Sequence, residues 1–328
     1  MDDRISNQNI GRHNSVLFKI TSRCNDNCSF CLEYDFIKAK RPQLTLEEFK
    51  RNYLFLKSFL KKRRSAIDYV ILSGGEPTLH PDFFKMLLYL KGLGEPFRFI
   101  TNLISFNKED FLNKLIKIYS QYKNDRQKGL SKFIASINDL PEKTFIAQQR
   151  FSGLVKALEA GLPVIVTVMI YQGNVKELPL LASRLKTVFK EKSRKDFLQI
   201  EFRSIYIENT PEKLLESSLS RDISQVRNSI EKCIKILDTP SIEVTLWGFP
   251  LCYLSNYQKA KNRMIKKRQS RRIIKVSKDL QLGNVEVRNW EKYLKSNKDC
   301  HKCKLRYCCS GIDKLYLDKN IYPSLKPF

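Results

Sequence analysis

Residues 15–31 read Ser15-Val-Leu-Phe-Lys-Ile20-Thr-Ser-Arg-Cys24-Asn-Asp-Asn-Cys28-Ser-Phe30-Cys31. Ser15 to Ile20 is short and largely apolar, the pattern of a buried strand. Three cysteines follow at once, so they occupy the loop at the strand's C-terminal end. Their spacing is three residues, then two.

Outward from this loop the chain alternates. Thr45-Leu-Glu-Glu48 is a capping-box signature ahead of a periodic apolar stretch reaching Leu60, which predicts a helix. Ile67 to Leu72 predicts a second strand, ending at Ser73-Gly74-Gly75-Glu76-Pro77. Further strands are expected at Phe97–Thr101, Lys132–Ile137, Val164–Ile170 and Leu198–Ile205. Helices are expected over Pro81–Leu93, Lys108–Tyr122, Phe145–Ala160 and Val175–Phe189. Six strand-then-helix units in series imply parallel strands joined by right-handed crossovers. Six fall short of the eight that close a TIM barrel, so the expected fold is α/β, a partial (β/α)6 TIM-like barrel. Its site belongs at the C-terminal ends of the strands.

The regularity breaks near residue 206. A helix over Pro211–Leu237 and a strand at Ile242–Leu246 precede a basic run, and residues 259–278 carry ten Lys or Arg and no acid. The expected organisation is an N-terminal extension (1–14), a core (15–206) and a C-terminal extension (207–328) holding a small cysteine-containing lobe.

Composition sets the bounds. The 328 residues are 42% hydrophobic, enough for one sizeable core with an appended lobe. No apolar run approaches the roughly 18 residues of a membrane span. The first residues lack the apolar segment of a secretory signal, so a cytoplasmic protein with no membrane association is expected. The formal net charge is +26. Such an excess attracts polyanions, nucleic acid among them, although lysine on solvated faces is the plainer account of it.

Nine cysteines in a reducing compartment call for a reason other than disulfides. Three stand at 24, 28 and 31, four at 300, 303, 308 and 309, with Cys233 and Cys252 apart. Clustering of this kind favours metal ligation. A zinc site in the first group lacks a fourth cysteine or histidine nearby. Three thiolates instead suit a 4Fe–4S cluster with one iron left open to an exogenous ligand. At the second strand, paired glycines let the backbone approach a ligand closely, and Glu76 can accept from an ammonium. An ordinary glycine turn is the plain alternative.

The CxxxCxxC spacing, with aromatic Phe30 before the last cysteine, and the Gly74-Gly75-Glu76 segment together resemble the radical S-adenosylmethionine (radical SAM) enzymes. The resemblance covers residues 15 to 206. It implies that Cys24, Cys28 and Cys31 hold the catalytic cluster and that its open iron chelates the methionine moiety. Reductive cleavage there yields a 5′-deoxyadenosyl radical, with electrons from a donor such as flavodoxin or ferredoxin. It further implies cosubstrate contacts from Phe30, Gly74, Gly75, Glu76, Ser136 and Asn138. Thr101-Asn102 matches a frequent family pair, with Leu103 where a glycine is common and Asn138 where an aspartate is common. Arg150 matches an arginine that reaches the methionine carboxylate in some relatives; a surface helix arginine is the alternative.

Cys300-His-Lys-Cys303-Lys-Leu-Arg-Tyr-Cys308-Cys309 is similar to part of the SPASM and twitch extensions, which bind auxiliary iron–sulfur clusters. Cys252, Cys300, Cys303 and Cys309 are the expected ligands of one such cluster. Structural zinc is the rival metal, Cys308 the rival to Cys309, and His301 a bystander. Cys233, on an apolar helical face, reads as a buried thiol. SPASM-like lobes imply an oxidoreductase that modifies a peptide or protein. An RNA-modifying or small anionic-metabolite enzyme using the basic 259–278 segment is the alternative. A non-catalytic iron–sulfur carrier has no need of a methionine pocket.

Overall fold

The computed structural model describes residues 13–31, 33–120, 132–192, 198–205, 219–254, 272–276, 285–288, 302–304, 309, 311–312 and 316. Nine strands form one sheet in the order β7-β6-β5-β4-β3-β2-β1-β8-β9. β1 is His13–Thr21, β2 Ala66–Gly74, β3 Phe97–Thr101, β4 Lys132–Ser136 and β5 Val164–Ile170. β6 is Leu198–Ser204, β7 Ile242–Trp247, β8 Arg272–Val276 and β9 Val285–Arg288. β7 and β9 end the order, so the sheet does not close on itself. The α/β class and the open barrel of the sequence reading therefore hold.

The sheet outruns the six strands expected. β7 pairs in parallel with β6, and β8 returns to pair in parallel with β1. β9 is antiparallel to β8. β8 is the short Arg-Ile-Ile-Lys-Val run inside the basic segment, the only part of residues 259–278 described. Its flanking cations mask an apolar stretch too short to stand out. Residues 211–218 of the expected helix also lie outside the described residues.

The chain divides into two compact units. The first comprises Met1–Asp26, Glu33–Ile134 and Ser270–Trp290; the second Asn27–Leu32, Ala135–Gln269 and Glu291–Phe328. The division passes through β4 and through the first cysteine loop.

In the first unit, β1 and β2 pair in parallel with Phe18 opposite Leu72. Helices α1 (Tyr34–Lys38), α2 (Leu46–Lys62), α3 (Phe83–Gly92) and α4 (Glu109–Ser120) supply its helical layer. The α2 capping box forms as its sequence requires: Thr45 Oγ1 accepts from the Glu48 backbone N–H and a Glu48 carboxylate oxygen from that of Thr45. Behind it Phe18 and Phe49 pack edge to face at 4.8 Å, in a core that includes Phe83, Phe97 and Phe99.

In the second unit, β5, β6 and β7 are flanked by α5 (Phe145–Glu159), α6 (Leu178–Lys192) and α7 (Ile223–Ile236). Thr144 caps α5 through the Ala147 N–H and Asp222 caps α7 through that of Gln225. Cys233 is fully buried on α7, and burial pushes its thiol far above its ordinary range, as expected of an inert core cysteine.

Candidate functional site: strand ends and cysteine loops

In the first unit, the end of β2 is clamped to the loop that carries Cys24. Gly75 N–H donates to the Thr21 carbonyl and Glu76 N–H to that of Arg23, both at 2.7 Å. A Cβ on Gly74 would lie 2.2 Å from Thr21 O, and one on Gly75 2.2 Å from Arg23 O. Gly74 also has φ 127°. The paired glycines thus let two stretches of backbone meet directly ahead of Cys24. Close approach to a ligand was the sequence expectation; within the chain the group approached is its own backbone.

Glu76 is 2% exposed. One carboxylate oxygen accepts from Thr78 N, Thr78 Oγ1 and Thr101 Oγ1; the other accepts from Asn102 N at 2.7 Å. Burial pushes its pKa up, and these four hydrogen bonds pull it part of the way back. Every one of those donors is neutral, which leaves an acidic centre that suits a cationic group. The side chain itself mainly ties the ends of β2 and β3 together. Asn102 Nδ2 in turn donates to Asn25 Oδ1 in the cysteine loop at 2.8 Å. Leu103 has φ 67°, the left-handed conformation that makes glycine common at such a position. Here it is a fully buried leucine.

In the second unit, Cys31 N–H donates to the Cys28 carbonyl, and Phe30 is buried. The Phe30 ring stands 4.7 Å from that of Tyr171, just beyond β5. Phe30 belongs to an apolar cluster with Ile205, Leu219, Ile312 and Tyr316, against which Cys28 and Cys252 also pack. Arg150 is no surface arginine: it is 5% exposed, and its Nη2 donates to Cys28 Sγ at 3.3 Å. Asn138 is buried, its Oδ1 accepting from Met169 N at 2.8 Å. Ser136, half-buried, closes β4. Tyr171 donates a hydrogen bond to Asp139. Sequence reasoning singled out neither of these two, and no local spacing marks them.

Of the later cysteines, Cys252 sits in a single turn of 3-10 helix just after β7. Cys309 Sγ accepts from Leu251 N at 3.4 Å and from Gly311 N at 3.3 Å, so Cys309 and the residue before Cys252 are neighbours. Cys303 is described, whereas Cys300, His301 and Cys308 lie outside the described residues. Among the described residues, no three His, Cys, Asp or Glu side chains are gathered as the ligands of one metal ion. A cluster spreads its thiolates around four irons and sets a wider spacing than one ion does.

The family model of the Radical SAM superfamily matches residues 18–184, just over half of the chain. The chain belongs to the radical SAM superfamily. That family implies a 4Fe–4S cluster and S-adenosylmethionine, and the residues described fit both. In the first unit Cys24 follows a backbone clamp fixed by glycines, with the buried Glu76 carboxylate beside that clamp; in the second a buried guanidinium donates to Cys28 Sγ.

The radical SAM chain is 29% identical over 182 residues to a GTP 3′,8-cyclase of Aquifex aeolicus, covering 52% of each protein. It is 27% identical over 168 residues to a PqqA peptide cyclase of Methylorubrum extorquens, covering 50% of this chain and 40% of that one. It therefore spans about half or less of these curated relatives. Its fold resembles that of Streptococcus suis SuiB bound to S-adenosylmethionine. There the TM-score is 0.58 at 14% identity, over 98% of this chain and 77% of that one. It also resembles anSMEcpe with bound AdoMet and Cp18Cys peptide, with a TM-score of 0.56 at 15% identity over 96% and 92%. At such identities the likeness is one of fold. Among the described residues, no helix is long and apolar enough to cross a membrane.

Proposed function

We propose that this radical SAM protein cleaves S-adenosylmethionine reductively and turns the resulting radical on a peptide or protein. The carrying observation is the clamp of Gly75 and Glu76 onto Thr21 and Arg23, immediately ahead of Cys24. It supports a cosubstrate pocket built against the cysteine loop rather than a bare cluster motif.

In this reading Cys24, Cys28 and Cys31 would hold the 4Fe–4S cluster, which would supply one electron for cleavage of S-adenosylmethionine into methionine and a 5′-deoxyadenosyl radical. The neutral-donor cage around Glu76 keeps the ends of β2 and β3 fixed and an acidic centre beside the place for the methionine ammonium. The Phe30 ring, held by Tyr171, keeps water from the loop between Cys28 and Cys31. Asn138 and Ser136, at the end of β4, supply hydrogen-bonding groups for the ribose, Asn138 through its amide N–H. Electrons come from an external donor such as flavodoxin or ferredoxin. Cys252, Cys300, Cys303 and Cys309 hold one auxiliary cluster, with the Leu251 and Gly311 N–H groups favouring an anionic Cys309 sulfur.

Peptide modification is favoured by relatives that cyclise the PqqA peptide and by likeness to the structure of SuiB bound to the precursor peptide SuiA. A nucleotide or other anionic substrate is the second reading, favoured by the GTP 3′,8-cyclase relatives and by the net charge of +26. The reconstituted, reduced protein tests both when it is incubated with S-adenosylmethionine and short peptides, GTP or bulk RNA. Peptide-dependent stimulation of 5′-deoxyadenosine formation with a peptide mass change supports the first reading; stimulation by GTP or RNA alone replaces it with the second.

A further inference from the structure

Arg150, on the buried side of α5, and Cys28 lie 122 residues apart in sequence, yet Nη2 stands 3.3 Å from Sγ. A guanidinium is charged at every relevant pH, and burying it away from an acceptor costs several kcal/mol. A neutral thiol is a weak acceptor and a thiolate a strong one, so the contact suits an anionic sulfur. Cys28 is half-buried, and on one side it packs on the apolar cluster of Phe30, Ile205 and Tyr316. On that side the field of a nearby cation is less screened than in water.

We infer that Arg150 is a positioning residue that holds the Cys28 thiolate and raises the reduction potential of the cluster ligated there. This rests on Cys28 being a cluster ligand. Reduction adds negative charge, and a cation hydrogen-bonded to a ligating sulfur favours the more negative state. The role differs from carboxylate binding, because one partner of the guanidinium within the chain is the sulfur itself.

The test compares wild-type chain with Arg150→Met and Arg150→Gln. Met keeps length without charge; Gln keeps amide donors without charge. All are reconstituted anaerobically, matched for iron and sulfide, checked by circular dichroism and titrated by potentiometry with EPR detection in the absence of S-adenosylmethionine. The first-cluster signal is the one that a Cys28→Ala chain lacks. Both variants are expected to have a more negative midpoint, Met further than Gln, and Arg150→Lys is expected to recover part of the shift. Midpoints equal to or above wild type in the neutral variants overturn the inference. Should the Met variant not fold, Gln decides alone. A well-folded wild-type chain that takes up no cluster with a Cys28-dependent signal overturns the ligand assignment and this inference with it.

Discussion

The Glu76 carboxylate accepts the backbone N–H of Asn102 at 2.7 Å, joining the residue that follows β2 to the residue that follows β3. Three further donors from Thr78 and Thr101 complete the cage. Glu76→Gln keeps one acceptor oxygen and sets an NH2 group against donors. The substitution is expected to cost roughly 1–3 kcal/mol. The folded pKa of Glu76 lies above its ordinary 4.5, so in that window the folded chain binds more protons than the unfolded one. Wild-type stability attributable to this group therefore falls as pH rises through the window. Melting temperatures of both proteins between about pH 4 and 8 check this. The wild-type lead is largest at the acid end and narrows upward; a lead that widens with pH contradicts it.

Gly75→Ala drives a methyl group into the Arg23 carbonyl, 2.2 Å away, and the obstacle is backbone rather than a flexible side chain. The strand ends must separate, at a cost of roughly 1–3 kcal/mol. The loop carrying Cys24 shifts with them. Iron retained after reconstitution and desalting is expected to drop well below wild type even where the variant remains folded by circular dichroism.

Leu103 sets two effects against each other. Leu103→Gly relieves left-handed strain of roughly 1–2 kcal/mol but forfeits a fully buried leucine side chain worth roughly 2–5 kcal/mol. Burial wins, and chemical denaturation is expected to show a net loss of about 1–3 kcal/mol. A stabilised glycine variant would mean that the strain outweighs the packing.

The strands that hold these residues were legible because buried parallel strands are short apolar runs, as at Val164–Ile170 and Phe97–Thr101. Helix starts were legible where a cap was explicit, as at Thr45. β8 was hidden because its apolar residues lie among lysines and arginines, and only pairing with β1 makes them a strand. The place of β7 beside β6 was equally invisible, since local pattern carries no pairing information. At the site, residue types at fixed spacing were readable, but partners were not. The contacts of Asn102 with Asn25 and of Arg150 with Cys28 bridge 77 and 122 residues. The glycine pair suggests close backbone approach to a ligand; within the chain the group approached is the backbone of Thr21 and Arg23, which no local pattern announces.

For the later cysteines, Cys303→Ala distinguishes the two metals. An auxiliary cluster predicts a loss of about four irons per chain. Unchanged iron with a loss of zinc would assign the site to zinc.

The central claim is tested most directly by 5′-deoxyadenosine itself. Wild-type, Cys28→Ala and Cys233→Ala chains are reconstituted anaerobically and given dithionite and S-adenosylmethionine. Cys233 serves as the control because its thiol is a buried filler on α7. The account predicts 5′-deoxyadenosine from wild type and Cys233→Ala and none from Cys28→Ala. Its absence from wild type, or its persistence after Cys28→Ala, would contradict the account.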